Sequence, residues 1–317
     1  MKNNTALVFP GQGSQKVGMG KDLFENFAVA KEVFQTVDEI LKVKLSEIMF
    51  EGPNEELMQT QNAQPALMAV SMAIIRILEK EFGKKVSDLA SLTAGHSLGE
   101  YSALCATKAL SLEDTAKLLQ VRGNAMAKCG QKTLGGMAAV IGAEVELVEE
   151  VVKLATKNSP GNICQIANDN SVGQIVISGS KAAIDAAIEI GKAKNIKRVL
   201  PLPVSGAFHS ELMRDAAAEM KEILAQTEIK QPILPVVANV TAKATTNPDE
   251  IRKLLVEQVT GSVKWRQTML FMQDFGITEI IEIGSGKVLA GLVSRTCENI
   301  NSRSIQTVEE IKAFSTN

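Results

Sequence analysis

Residues 93–100 read TAGHSLGE, and within them Gly95, His96, Ser97, Leu98 and Gly99 fit G-x-S-x-G, the pattern of a serine on a sharp turn between strand and helix. SLTAG before the serine reads as a strand, and the small residues of EYSALCATKAL after it read as a helix. A strand feeding a helix through a tight turn is the unit of an α/β core. Working outward, TALVFP at 5–10 predicts a first strand running into the turn GQGSQ, and PALMAVSMAIIRILEKEF at 65–82 predicts an apolar helix.

The middle of the chain has a different grain. GGMAAVIG predicts a strand, AEVELVEEVVKLATKN a helix, NICQIAN and GQIVISG two strands around the turn DNSV, KAAIDAAIEIGKAKN a helix, and IKRVLPLPV a last strand. The order βαββαβ is ferredoxin-like. It predicts a small subdomain over 132–200 inserted into a larger one formed by 1–131 and 201–317, with a binding cleft between them.

Bulk properties narrow the function. With 36 acidic and 34 basic residues the net charge is −2, which supplies no global field for nucleic acid or an anionic membrane. Cys105, Cys129, Cys164 and Cys297 form no C-x-x-C pair, so reduced thiols and a cytoplasmic setting are expected, without a metal site. MKNNTALVFPG does not read as a signal peptide, and no apolar run approaches the ~18 residues of a membrane span. GQGSQKVG and GSGKVL at 284–289 resemble nucleotide loops without matching their glycine and lysine spacing.

Ser97 is a weak nucleophile unless a base adjoins it, and the chain has two histidines. Neighbouring side chains diverge at a sharp elbow, which disfavours His96. By elimination the base is His209, in PVSGAFHSEL at an expected strand end, with a purely structural histidine as the other reading. Two amides are needed for an oxyanion: Leu98 follows the nucleophile, and Gln12 lies in the glycine-flanked turn after the first strand.

Arg122 carries the substrate clue. SLEDTAKLLQVRGNAMAKC opens with a capping box from Ser111 to Asp114, and the following helix places Thr115, Leu118, Leu119, Arg122, Ala125 and Met126 on one face. A guanidinium on an apolar stripe needs an anion. That anion is either a substrate carboxylate or an internal Asp or Glu.

With these residues in place, the chain closely resembles the malonyl-CoA:acyl carrier protein transacylases. FPGQGSQ, GHSLGEYSAL, QVRGNAM, ANDNSVGQIVISG, PVSGAFHSELM and GSGKVLAGL fall in that family's order over nearly the full length, with Ser285 where the family usually shows proline. The resemblance implies an α/β fold with an α/β-hydrolase-like large subdomain and the ferredoxin-like insert. It further implies that Ser97 is acylated, that His209 is the base, that Arg122 binds the malonyl carboxylate, and that Gln12 and Leu98 form the oxyanion hole. Gln258, in EQVTGSVKW, matches the position whose backbone carbonyl orients the histidine, and Asn168 and Asn170 align with asparagines near the site. Phe208, before the base, is expected either to crowd the acyl α-carbon or to pack in the core.

The implied partners are malonyl-CoA, CoA and acyl carrier protein, with no cofactor, and a monomer is expected. Lys192, Lys194, Lys197 and Arg198 in GKAKNIKR are either a docking patch for an acidic carrier or a solvated run. Two rival functions remain: a serine esterase or thioesterase, and a non-catalytic carrier-binding module.

Overall fold

A computed structural model describes residues 4–315; residues 1–3 and 316–317, the ends of the expected large subdomain, lie outside the described residues. Among the described residues the strands are β1 (Thr5–Phe9), β2 (Leu92–Gly95), β3 (Gly135–Ile141), β4 (Cys164–Ser171), β5 (Gln174–Ser180), β6 (Arg198–Pro201), β7 (Val236–Ala238), β8 (Lys243–Thr245), β9 (Glu279–Ile283) and β10 (Asn301–Ile305). They form two sheets, β10-β9-β1-β2-β7-β8 and β4-β5-β3-β6.

In β1, Leu7 and Phe9 enter one apolar core while Ala6 and Val8 enter another on the opposite face. A strand apolar on both faces belongs in the middle of a covered parallel sheet. β10, β9, β1, β2 and β7 are mutually parallel, and β8 is an antiparallel edge. Helices Ala28–Leu41, Thr60–Lys80 and Leu112–Lys132 bury their apolar stripes on the Leu7 and Phe9 side. Trp265–Phe275 and Val288–Val293 cover the other.

The helix expected from Pro65 starts earlier, at Thr60. Proline costs it one hydrogen bond, and the preceding turn is held instead by close packing, because a Cβ on Gly123 would lie 2.6 Å from Gln61 Cα. That approach brings Gln64 and Arg122 together beside Ser97, beyond the C-terminal end of the interior strand β2. Ser111 caps the Arg122 helix by accepting the Asp114 N–H at 2.9 Å, a contact worth about 1 kcal/mol.

The second sheet has the strand order expected of βαββαβ, and its neighbours are antiparallel. Ala138, Val140, Ile175 and Ile177 pack on helices Val145–Asn158 and Lys181–Ala193. Met137 and Val176, on the opposite face, join the main core. Edge strand β4 also pairs with the larger unit: Val263 N–H donates to Ala167 O at 2.8 Å and Asp169 N–H to Val263 O at 3.0 Å.

The structure departs from the sequence-based expectation in two places. The turn expected at DNSV lies at Val172 and Gly173, and β4 continues through Asn168, Asp169 and Asn170. Register shifts at Ile166/Asn168 and Asp169/Ser171 re-aim the polar side chains, and Asn170 meets His96 while Asp169 meets Arg266. The strand expected over IKRVLPLPV stops at Pro201, ahead of Pro203, which has no N–H to donate. His209 therefore sits on an irregular segment after the small sheet, not at the end of a strand.

Candidate active site

Two glycines build the elbow. A Cβ on Gly95 would overlap the Gly99 carbonyl, and one on Gly99 would overlap that of Phe9, so strand, turn and helix Gly99–Ala106 close only where side chains are absent. The closure leaves Ser97 at φ 53°, a left-handed conformation uncommon outside glycine. Asn239 pins the turn: its Oδ1 accepts the Ser97 N–H at 2.7 Å and its Nδ2 donates to Gly95 O at 2.7 Å.

Ser97 Oγ lies 2.8 Å from His209 Nε2. His96 points elsewhere, with Nε2 2.8 Å from Asn170 Oδ1 and its ring against Trp265 at 5.6 Å between centroids. His209 Nδ1 meets the carbonyls of Gln258 at 2.9 Å and Gly261 at 3.2 Å. Carbonyls only accept, so Nδ1 carries the hydrogen and Nε2 turns its lone pair to the serine hydroxyl. Both carbonyls lie at the C-terminal end of helix Pro248–Thr260, where intrahelical donors run out. Burial, reinforced by the Arg122 charge, pushes His209 down to about 3, which keeps the imidazole neutral at physiological pH.

Arg122 is 1% exposed and is held by side-chain oxygens. Nη1 donates to Gln64 Oε1 at 2.7 Å, and Nη2 to Gln258 Oε1 at 2.9 Å and Ser97 Oγ at 3.1 Å, while Nε has no hydrogen-bond partner among the described residues. The internal ion pair left open by the sequence is absent among the described residues. Glu100 is the acid closest in the network, reached through Gln258, whose Nε2 donates to Glu100 Oε2 at 2.7 Å. Burial pushes Glu100 up to about 7. A buried guanidinium without a carboxylate and with a spare donor suits an arriving anion.

These groups open into a cleft of ≈ 730 Å³ between the two sheets, which Gln12, His96, Asn168, Asn170 and Phe208 also line. Neither the Gln12 nor the Leu98 backbone N–H is engaged by another group among the described residues, whereas the Gln12 side chain donates to Thr60 Oγ1 at 3.0 Å. Phe208 is 7% exposed and belongs to the main core as well as to the cleft wall. Ser285 donates to Ser14 O at 2.9 Å and so ties the GSGK loop to the FPGQGSQ loop. In GKAKNIKR, Lys192 and Lys194 pair with Glu189 and Glu150, each at 2.7 Å, which partly neutralises that run.

Sequence reasoning missed Gln64, Glu100 and Asn239. Gln64 shares a helical stripe with Ala63, Leu67 and Met68, so the test that singled out Arg122 would have found it. Glu100 lies inside the quoted elbow motif, three residues past the serine. Asn239, in VVANVT, carries no sequence signal of its role.

A family model described as acyl transferase domain matches residues 6–313. The malonyl CoA-acyl carrier protein transacylase of Bacillus subtilis is 42% identical over 307 residues, covering 97% of this chain and 95% of that protein. A crystal structure of acyl-carrier-protein S-malonyltransferase from Bartonella henselae superposes with a TM-score of 0.94 at 49% identity, covering 99% of this chain and 98% of that one. A malonyl-transacylase solved in complex with a type II PKS acyl-carrier protein gives a TM-score of 0.93 at 37% identity, covering 99% of each chain. With an elbow serine, a carbonyl-held histidine and a buried arginine on one cleft, and with similarity running along almost the entire sequence, this chain belongs to the acyl transferase family, among the malonyl-CoA:acyl carrier protein transacylases.

Proposed function

We propose that the chain moves a malonyl group from malonyl-CoA to the phosphopantetheine thiol of acyl carrier protein, through an ester on Ser97. The observation that carries this residue assignment is a single hydroxyl, Ser97 Oγ, bonded at once to a neutral imidazole at 2.8 Å and a buried guanidinium at 3.1 Å. In the first half-reaction His209 Nε2 takes the Ser97 proton as Oγ attacks the thioester carbon. The Gln12 and Leu98 amides hold the oxyanion, and Arg122 holds the malonyl carboxylate. The C–S bond breaks and His209 returns its proton to the departing CoA sulfur. In the second half the carrier thiol gives His209 its proton, attacks the ester carbon and releases Ser97, which regains its hydrogen.

Acyl exchange between two thiols balances without electron transfer. The residues at 132–200 act in this reading as a small subdomain forming one wall of the cleft, with Asn168 and Asn170 on β4 facing the site. Phe208 bounds the space beside the acyl α-carbon. The setting implied is a cytoplasmic monomer meeting a carrier protein.

Mixing the protein with malonyl-CoA and recording its intact mass should give an increase of one malonyl group, mapped to Ser97 by peptide fragmentation. Absence of an adduct under conditions that support transfer would overturn the covalent route.

The depressed histidine sets a pH signature. Because His209 is pushed down to about 3, its proton-free form persists well below the ordinary histidine range and is lost only as pH falls toward that value. kcat/KM for malonyl-pantetheine, which lacks the ionisable phosphates of CoA, should therefore show no acid limb of histidine origin near 6.5, the ordinary histidine value. Glu100, pushed up to about 7, also titrates nearby, whereas burial pushes the cleft-lining His96 down from the histidine range. A limb near 6.5 that survives Glu100→Gln would overturn the assignment of a depressed His209.

A further inference from the structure

His209 occupies a left-handed backbone conformation, φ 55°, on a segment without regular structure. Such a conformation persists only where surrounding contacts over-determine it. One half-buried side chain from the other sheet supplies several of them. Gln165, on β4, donates Nε2 to His209 O at 3.4 Å and to Thr260 O at 3.2 Å, and its Oε1 accepts the Glu211 N–H at 3.0 Å. Two of these bonds fix the backbone on either side of Ser210, directly behind the base. The third reaches Thr260, the residue before Gly261 and two after Gln258, the pair whose carbonyls receive His209 Nδ1–H.

We propose that Gln165 is a positioning residue for the base. Resting on the reading of His209 given above, the inference assigns to β4 a task beyond lining the cleft. It locks the imidazole and its carbonyl acceptors into one frame, so that Nε2 stays aimed at Ser97 Oγ. The same strand is fastened to the turn after Thr260 by the Val263 backbone pairing, and to helix Trp265–Phe275 by the Asp169 carboxylate, which Arg266 Nη2 meets at 2.8 Å and Gln267 Nε2 at 2.9 Å. Gln165 thus works from a rigid edge and not from a loose one. An amide is suited to this place because it offers two N–H donors to carbonyls and one oxygen to an amide hydrogen.

The test is single-turnover acylation by malonyl-CoA in wild type, Gln165→Ala, Gln165→Glu and His209→Ala, reading rate constant, final malonyl stoichiometry and apparent affinity. Gln165→Ala should slow acylation about 10- to 100-fold, the range expected when a reacting group is displaced by up to about 1 Å, while stoichiometry and affinity stay at wild-type values. Gln165→Glu keeps the acceptor for Glu211 but sets a carboxylate against two carbonyls, and should slow acylation at least as much. A wild-type rate in either variant would overturn the proposal, as would lowered stoichiometry with an unchanged rate per acylated site. His209→Ala separates the two layers: if it acylates normally the base assignment itself fails, whereas a slow His209→Ala beside a fast Gln165→Ala removes only the positioning role.

Discussion

Replacing His209 by alanine should slow formation of malonyl-Ser97 by about 10³- to 10⁴-fold, and Ser97→Ala should abolish the adduct. The geometry gives the reason. Among the described residues Ser97 Oγ has one hydrogen-bonded neighbour able to accept its proton, His209 Nε2 at 2.8 Å, because the other, Arg122 Nη2 at 3.1 Å, can only donate. Without the imidazole the hydroxyl keeps its ordinary, weakly nucleophilic state. His96→Ala supplies the contrast, since that ring bonds Asn170 and packs on Trp265. It should lower the melting temperature and leave the acylation rate within about tenfold of wild type. Rapid-quench mass spectrometry of the three variants checks the order, and a malonyl adduct in Ser97→Ala, or a His96→Ala defect as deep as that of His209→Ala, would overturn it.

Arg122→Ala should cost malonyl-CoA about 3 kcal/mol of transition-state stabilisation, roughly a hundredfold in kcat/KM, while acetyl-CoA holds steady or improves. Malonyl brings a carboxylate that can take a bidentate contact, and acetyl brings a methyl group that gains nothing from facing a buried charge. The variant will also lose stability, since Gln64 Oε1 and Gln258 Oε1 both lose the donor they now accept from. The ratio of the two kcat/KM values is therefore the deciding quantity, because an unfolded fraction lowers both equally. A melting temperature that falls with the ratio unchanged would return Arg122 to a structural role.

Much of this site is written in short local patterns. The elbow is legible because its glycines answer a purely local demand, backbone meeting backbone at Gly95 and Gly99. Arg122 is legible because a helical period of 3.6 makes a charge on an apolar stripe conspicuous. The βαββαβ order survives in the structure even where its turns shift. What escaped depends on long-range meeting. Asn239 Oδ1 reaches Ser97 N, and Gln258 Nε2 reaches Glu100, across separations no pattern encodes. The misplaced turn at DNSV has the same origin: polar residues favour turns on propensity, yet Asp169 and Asn170 remain extended because Arg266 and His96 satisfy their side chains.

The small sheet falls in sequence between Ser97 and His209, the proposed nucleophile and base, and this orders events during synthesis. Ser97 and His209 are 112 positions apart, and the Nδ1 acceptor at Gln258 follows 49 positions later. At ribosomal rates the elbow leaves the exit tunnel on the order of ten seconds before its base is made, and the carbonyl that fixes the base's tautomer arrives later still. Throughout that interval the growing chain exposes an ordinary alcohol, in a cell whose thioester pool could otherwise load it. If Ser97 and His209 act as proposed, a nascent or prematurely terminated chain lacks the base that would load that alcohol, and chemical competence arrives only with the last third of translation.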